Sequence, residues 1–139
     1  MDWKTCAVDD LRRYPQMKIG VLNSREKLKV VESAARSAKN SIKRDSRRTD
    51  SRLVDAIVES ERLRKNLKIT EGLLRLIERG LDSLTEEERL ILHRFYMSNT
   101  TPNMTKLKEE LGYESRSIYR LRDRALVKFT LAMYGVEVS

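Results

Sequence analysis

From Met17 to Leu84 small and apolar residues return at alternating steps of four and three, and this spacing dictates helices that pack on helices. The first run is Met17, Val21, Ser24, Leu28, Val31, Ala35, Ala38 and Ile42. The second is Leu53, Ala56, Ser60, Leu63, Leu67, Thr70, Leu74, Ile77, Leu81 and Leu84, with Ser60 and Thr70 as its polar slips. Stripes this narrow are seams for another helix rather than the wide face of a globular helix. Two such helices fold on each other as an antiparallel hairpin, or pair with a second copy of the chain; the spacing does not choose. Off-seam apolar residues (Val54, Ile57, Val58, Leu73 and Leu76) widen the face and favour a larger bundle, hence a homodimer. With two prolines and five glycines in 139 residues, little interrupts helix, and the expected fold class is all-α.

Two segments flank the first seam. Residues 3–14 carry Trp3, Ala7, Leu11 and Tyr14 at helical spacing and predict a short helix. Pro15 is expected to break or bend it, since proline lacks the N–H and disfavours helix in the residue before it. Past Ile42, the stretch Lys43–Asp50 reads as a basic connection. With Arg36, Lys39 and Arg52 it holds 7 Lys/Arg against 2 Asp. The plain reading is a solvated link; the functional one is a set of non-specific phosphate contacts by Lys43, Arg44, Arg47 and Arg48.

After Leu84 the pattern changes. Thr85-Glu86-Glu87-Glu88 is a capping box, in which a threonine hydroxyl and a glutamate three residues on satisfy each other's backbone N–H. The helix it opens is expected to run through Leu90, Ile91, Arg94, Phe95 and Tyr96, then stop in the loop Ser98–Pro102. A short helix, about Asn103 to Leu111, ends at Gly112, which supplies a left-handed turn. A longer helix follows from Ser115 to Gly135, with Ile118, Leu121, Ala125 and Phe129 on its buried face. These elements divide the chain at 83/84: a helical arm over 1–83, the expected dimerisation region, and a separate head over 84–139.

The chemistry this sequence offers is narrow. His93 is the only histidine and Cys6 the only cysteine, so no metal-ligand spacing and no internal disulfide exist. No glycine-rich phosphate loop and no nucleophile motif occur, so enzyme activity, a cofactor and a metal are not expected. No apolar run approaches the roughly 20 residues needed to span a bilayer, and no signal-peptide order opens the chain; the expectation is a cytoplasmic protein with no membrane association. The formal net charge of +8 points to a polyanion. The excess lies mostly in residues 1–50, with 13 Lys/Arg against 7 Asp/Glu, net +6, while residues 85–139 hold 9 against 8, net +1.

The C-terminal head therefore stands on where its charges sit, not on how many there are. A short helix, a glycine-containing turn and a longer helix make a helix-turn-helix, whose second helix reads the major groove of double-stranded DNA. On the helix from Ser115, the side opposite Ile118, Leu121 and Ala125 presents Ser115, Arg116, Tyr119 and Arg120, the expected base contacts. Arginine there bonds guanine bidentately, for about 1–3 kcal/mol of discrimination. Lys106, Lys108, Ser117, Arg122, Arg124 and Lys128 are the expected phosphate contacts.

The segments LTEEERLILHRFY, KLKEELGY and SIYRLRDRALVKF together resemble region 4 of the sigma-70 family, over about 50 residues. The resemblance rests on an L-x-x-x-E-R first helix, a short helix ending in leucine–glycine, and a recognition helix closing on Ala125-Leu126-Val127-Lys128-Phe129. The whole layout is similar to phage-encoded late-transcription regulators of the ArpU/RinA type. It implies sequence-specific DNA binding, transcription regulation and RNA polymerase as a further partner. Its base-reading slots fall on Ser115, Arg116, Tyr119 and Arg120. Glu114 stands where such helices often open with serine or threonine, and Lys108 or Glu109 where a small residue is usual. Alternative readings are a DNA-packaging component like a small terminase subunit, or a protein-binding adaptor on the same fold.

Overall fold

The computed structural model describes the backbone of residues 2–40 and 46–139, and the side chains of 2–40 and 51–139. Among these residues helix is the only regular secondary structure, with no strand. α1 spans Trp3–Asn40, α2 Ser46–Asp82, α3 Glu86–Leu92, α4 Met104–Leu111 and α5 Ser115–Tyr134; a π-helical turn, His93–Met97, extends α3. The fold class read from the sequence is the one observed. No helix among the described residues is long and apolar enough to cross a membrane.

Two compact units divide the chain: residues 17–73, and residues 1–16 with 74–139. In the first, the heptad seams are what is buried. Val21, Ala38, Ser60 and Leu63 are buried, and Met17, Ser24, Leu28, Val31, Ala35, Leu53, Ala56, Leu67 and Thr70 are half-buried. The helices run antiparallel. Arg25 pairs with Glu71 at 2.9 Å, Arg64 with Glu32 at 2.5 Å, and Lys27 with Glu59 at 3.7 Å. Exposed pairs like these contribute about 0–1 kcal/mol each; they fix direction and register, while the seam supplies the stability. Where the polar slips Ser24 and Thr70 face Val21 and Leu67, the seam leaves a cavity of about 140 Å³. Val54, Ile57 and Val58 remain exposed in the single chain.

Residues 1–16 and 74–139 form the second unit, the head, so the contacts do not divide at 83/84 as the sequence reading expects. The reason lies in the first four turns of α1. Ala7 and Leu11 are fully buried. The Trp3 ring packs on Tyr134 at 5.1 Å between centroids, the Tyr134 hydroxyl donates to Asp10, and the Tyr14 hydroxyl donates to Glu78 at 2.9 Å. Gly80 of α2 lies against Phe129 of α5: a Cβ there would meet the ring at 3.0 Å.

Two local expectations give way. The helix does not stop at Pro15; α1 continues through it. Buried Leu11 before it and Val21 after it hold both flanks helical against the roughly 3 kcal/mol a mid-helix proline costs, and one division between the units falls beside it, at 16/17. Nor does the helix opened by Thr85 stay α-helical to Tyr96. It widens after Leu92 into the π-turn, a form frequent at functional sites, which brings Arg94 3.2 Å from Glu110 of α4.

Candidate nucleic-acid interface

The candidate interface is framed by caps. Thr85 and Glu88 form the expected capping box at the start of α3. Asn103 caps α4 by accepting from Lys106 N–H at 3.2 Å. α4 ends on Gly112 at φ 73°, a left-handed conformation open to glycine, and three residues, 112–114, separate Leu111 from the start of α5. α5 ends on Gly135 at φ 68°. Its inner face is Ile118, Ala125 and Phe129, all fully buried, with Leu126 nearly so. Thr130, also buried, satisfies its hydroxyl on the Leu126 carbonyl at 2.6 Å. Burying Ile118, Leu126 and Phe129 contributes about 1.5–3 kcal/mol each, enough to fix which side of α5 faces out. The Tyr113 hydroxyl donates to Glu87 at 3.0 Å, tying the turn to α3.

The outer side carries the four expected base-reading positions. Arg116 and Arg120 are exposed and, among the described residues, make no ion pair. Tyr119 is 42% exposed and Ser115, the first residue of α5, is half-buried. Glu114 takes the N-cap position without a side-chain cap bond.

The six expected phosphate positions separate into two groups. Lys106, Lys108, Ser117 and Arg124 are exposed and unpaired among the described residues. Arg122 and Lys128 are engaged within the head. The Arg122 guanidinium lies 5.0 Å from the Phe95 ring centroid and 5.1 Å from that of Tyr119, and donates to Asp123 at 3.0 Å. Lys128 Nζ sits 2.9 Å from Glu88. Of the basic connection, Lys43 and Arg44 lie outside the described residues, as do the side chains of Arg47 and Arg48.

An aromatic group backs the outer side of α5, and the sequence reading missed it. Phe95 and Tyr96 lie 6.2 Å apart in the π-turn, and Phe95 meets the Tyr119 ring edge-on at 6.0 Å. Edge-on pairs contribute about 0.5–1.5 kcal/mol beyond their burial. Together with Arg122 they hold Tyr119 in place. Arg12 of α1 lies over the Tyr96 ring at 5.8 Å. Burial raises the Tyr96 phenol above its ordinary value, and Arg122, Asp123 and Arg12 all act on it. The signal that existed was Phe95-Tyr96 beside a loop; nothing local marked Arg12. No group of metal-ligating side chains occurs among the described residues.

Comparison with protein-family models, curated proteins and solved structures finds no match.

Proposed function

We propose that this chain is a sequence-specific double-stranded DNA-binding protein that regulates transcription, with α5 as the reading helix. The observation that carries the reading is the pair Arg116 and Arg120. They are exposed and unpaired on one side of α5, opposite fully buried Ile118 and Ala125, in a helix–turn–helix frame. Unpaired guanidiniums on that side are the donors a guanine edge requires. The resemblance to sigma-70 region 4 adds RNA polymerase as a partner and phage late genes as the setting. The reading carries no enzymatic step and a cytoplasmic location. Exposed Val54, Ile57 and Val58 support a homodimer, since apolar side chains grouped on one helix are what a second copy covers.

The test is a gel shift of the full chain on the DNA upstream of its own gene. R116A combined with R120A is expected to abolish discrimination between that duplex and a scrambled one, at about 1–3 kcal/mol per lost contact. Equal binding by wild type and the double variant would assign the reading to another surface.

A further inference from the structure

We propose that the DNA-contacting surface of the head extends onto its N-terminal helix, with Arg12 neutralising a phosphate beside the groove read by α5. The inference rests on the DNA-binding reading above and adds a residue from the far end of the sequence. Arg12 is exposed, and among the described residues no carboxylate pairs with it. Its neighbour Arg13 bonds Asp10 at 2.8 Å. What fixes Arg12 is the Tyr96 ring at 5.8 Å. Tyr96 adjoins Phe95 at 6.2 Å, and Phe95 adjoins Tyr119 at 6.0 Å.

Three successive contacts therefore link Arg12 to Tyr119, which is exposed on the outer side of α5. A major groove is about 12 Å wide, so a cation beside the helix that fills it meets the phosphates that border the groove. Lys4, two turns earlier on α1, lines a depression together with Asp123, Arg124 and Lys128 of α5, so a second basic residue of α1 lies beside that helix. A guanidinium with its face on an aromatic ring keeps its edge N–H groups free, and those are the groups that bond phosphate oxygens.

A salt titration of binding separates this role from a structural one. The full chain is bound to a random-sequence duplex of about 30 base pairs, roughly three helical turns, because the phosphate contribution is independent of sequence. Each phosphate contact adds about 0.9 to the magnitude of the negative slope of log K against log salt. R12Q is expected to weaken binding several-fold at low salt and to lower the slope by about 0.9. Between 50 and 200 mM salt it then loses roughly three- to fourfold less affinity than wild type. R12K is expected to keep the wild-type slope. Should R12Q fold poorly in a thermal melt, R12M, which keeps the stem over Tyr96 without the charge, makes the same comparison. An unchanged slope in the neutral variants overturns the proposal even if affinity falls, and so does a lowered slope in R12K. Wild type failing to bind any duplex overturns the DNA-binding reading itself, a result distinct from wild type and R12Q binding alike.

Discussion

Lys128 Nζ lies 2.9 Å from Glu88 Oε2, so the last basic residue of α5 is fastened to the capping box of α3. Glu88 is 4% exposed and its other oxygen accepts from Thr85 N–H at 2.9 Å. One carboxylate thus joins a helix start to a second helix. K128A is expected to lower the melting temperature while leaving the salt dependence of DNA binding unchanged. K106A and K108A are expected to do the reverse: no change in melting and a slope lower by about 0.9 each. Salt titrations and thermal melts on the same preparations check both.

The pH behaviour of Glu88 follows from the same contacts. Burial pushes its carboxyl up, but the hydrogen bonds from Thr85 N–H, Lys128 and the Thr85 hydroxyl outweigh it, and the group titrates below its ordinary 4.5. A depressed value in the folded state adds stability that is present above the unfolded value and lost as pH falls through the folded one. Wild type is expected to lose stability as pH drops below 4.5, and E88Q to lose less over that range while being less stable near neutrality by about 1 kcal/mol. Denaturant melts across this range measure it.

Two tyrosines give the opposite dependence. Burial, with the hydrogen bond to Glu78, pushes the Tyr14 phenol up to about 12 from 10.0; burial and Asp10 raise Tyr134 as well. A raised value adds stability that is fully present below the unfolded value and lost as pH rises through the folded one. Stability should therefore decline between pH 10 and about 12, and more gently in Y14F and Y134F. Circular dichroism at alkaline pH reads the difference.

Glycines 20 and 80 predict opposite signs for one substitution. Nothing lies within 4 Å of a Cβ placed at Gly20, so G20A gains helix propensity, up to about 1 kcal/mol. At Gly80 a Cβ meets fully buried Phe129 at 3.0 Å and Met133 sulfur at 3.4 Å. Overpacking of about 1–3 kcal/mol outweighs the propensity gain, and G80A is expected to melt lower than wild type.

How much of this was legible in the sequence depended on range. The seams were read residue by residue, because heptad spacing is local and Val21, Ala38, Ser60 and Leu63 fall where it puts them. The capping box, the turn at Gly112 and the buried side of α5 were equally local. What escaped depends on distant partners. Pro15 stays helical because of packing on either side of it, and the head holds the start of α1 through Trp3 and Asp10, both of which meet Tyr134. The π-turn depends on contacts made after the helix is in place, with Glu110 and Tyr119. Arg12 carries no motif, and its position over Tyr96 exists only once α1 has docked.

The Asp10–Tyr134 hydrogen bond spans 124 residues, whereas Arg25–Glu71 and Glu32–Arg64 span 46 and 32. Closing a long loop precedes the contacts that reward it. On a ribosome the hairpin can assemble while the chain is still growing, but Trp3 and Asp10 have no Tyr134 to meet until α5 has emerged. The head is accordingly the last part of this protein to close, and until then the start of α1, without its Tyr134 contacts, stays open to chaperones and to other nascent chains.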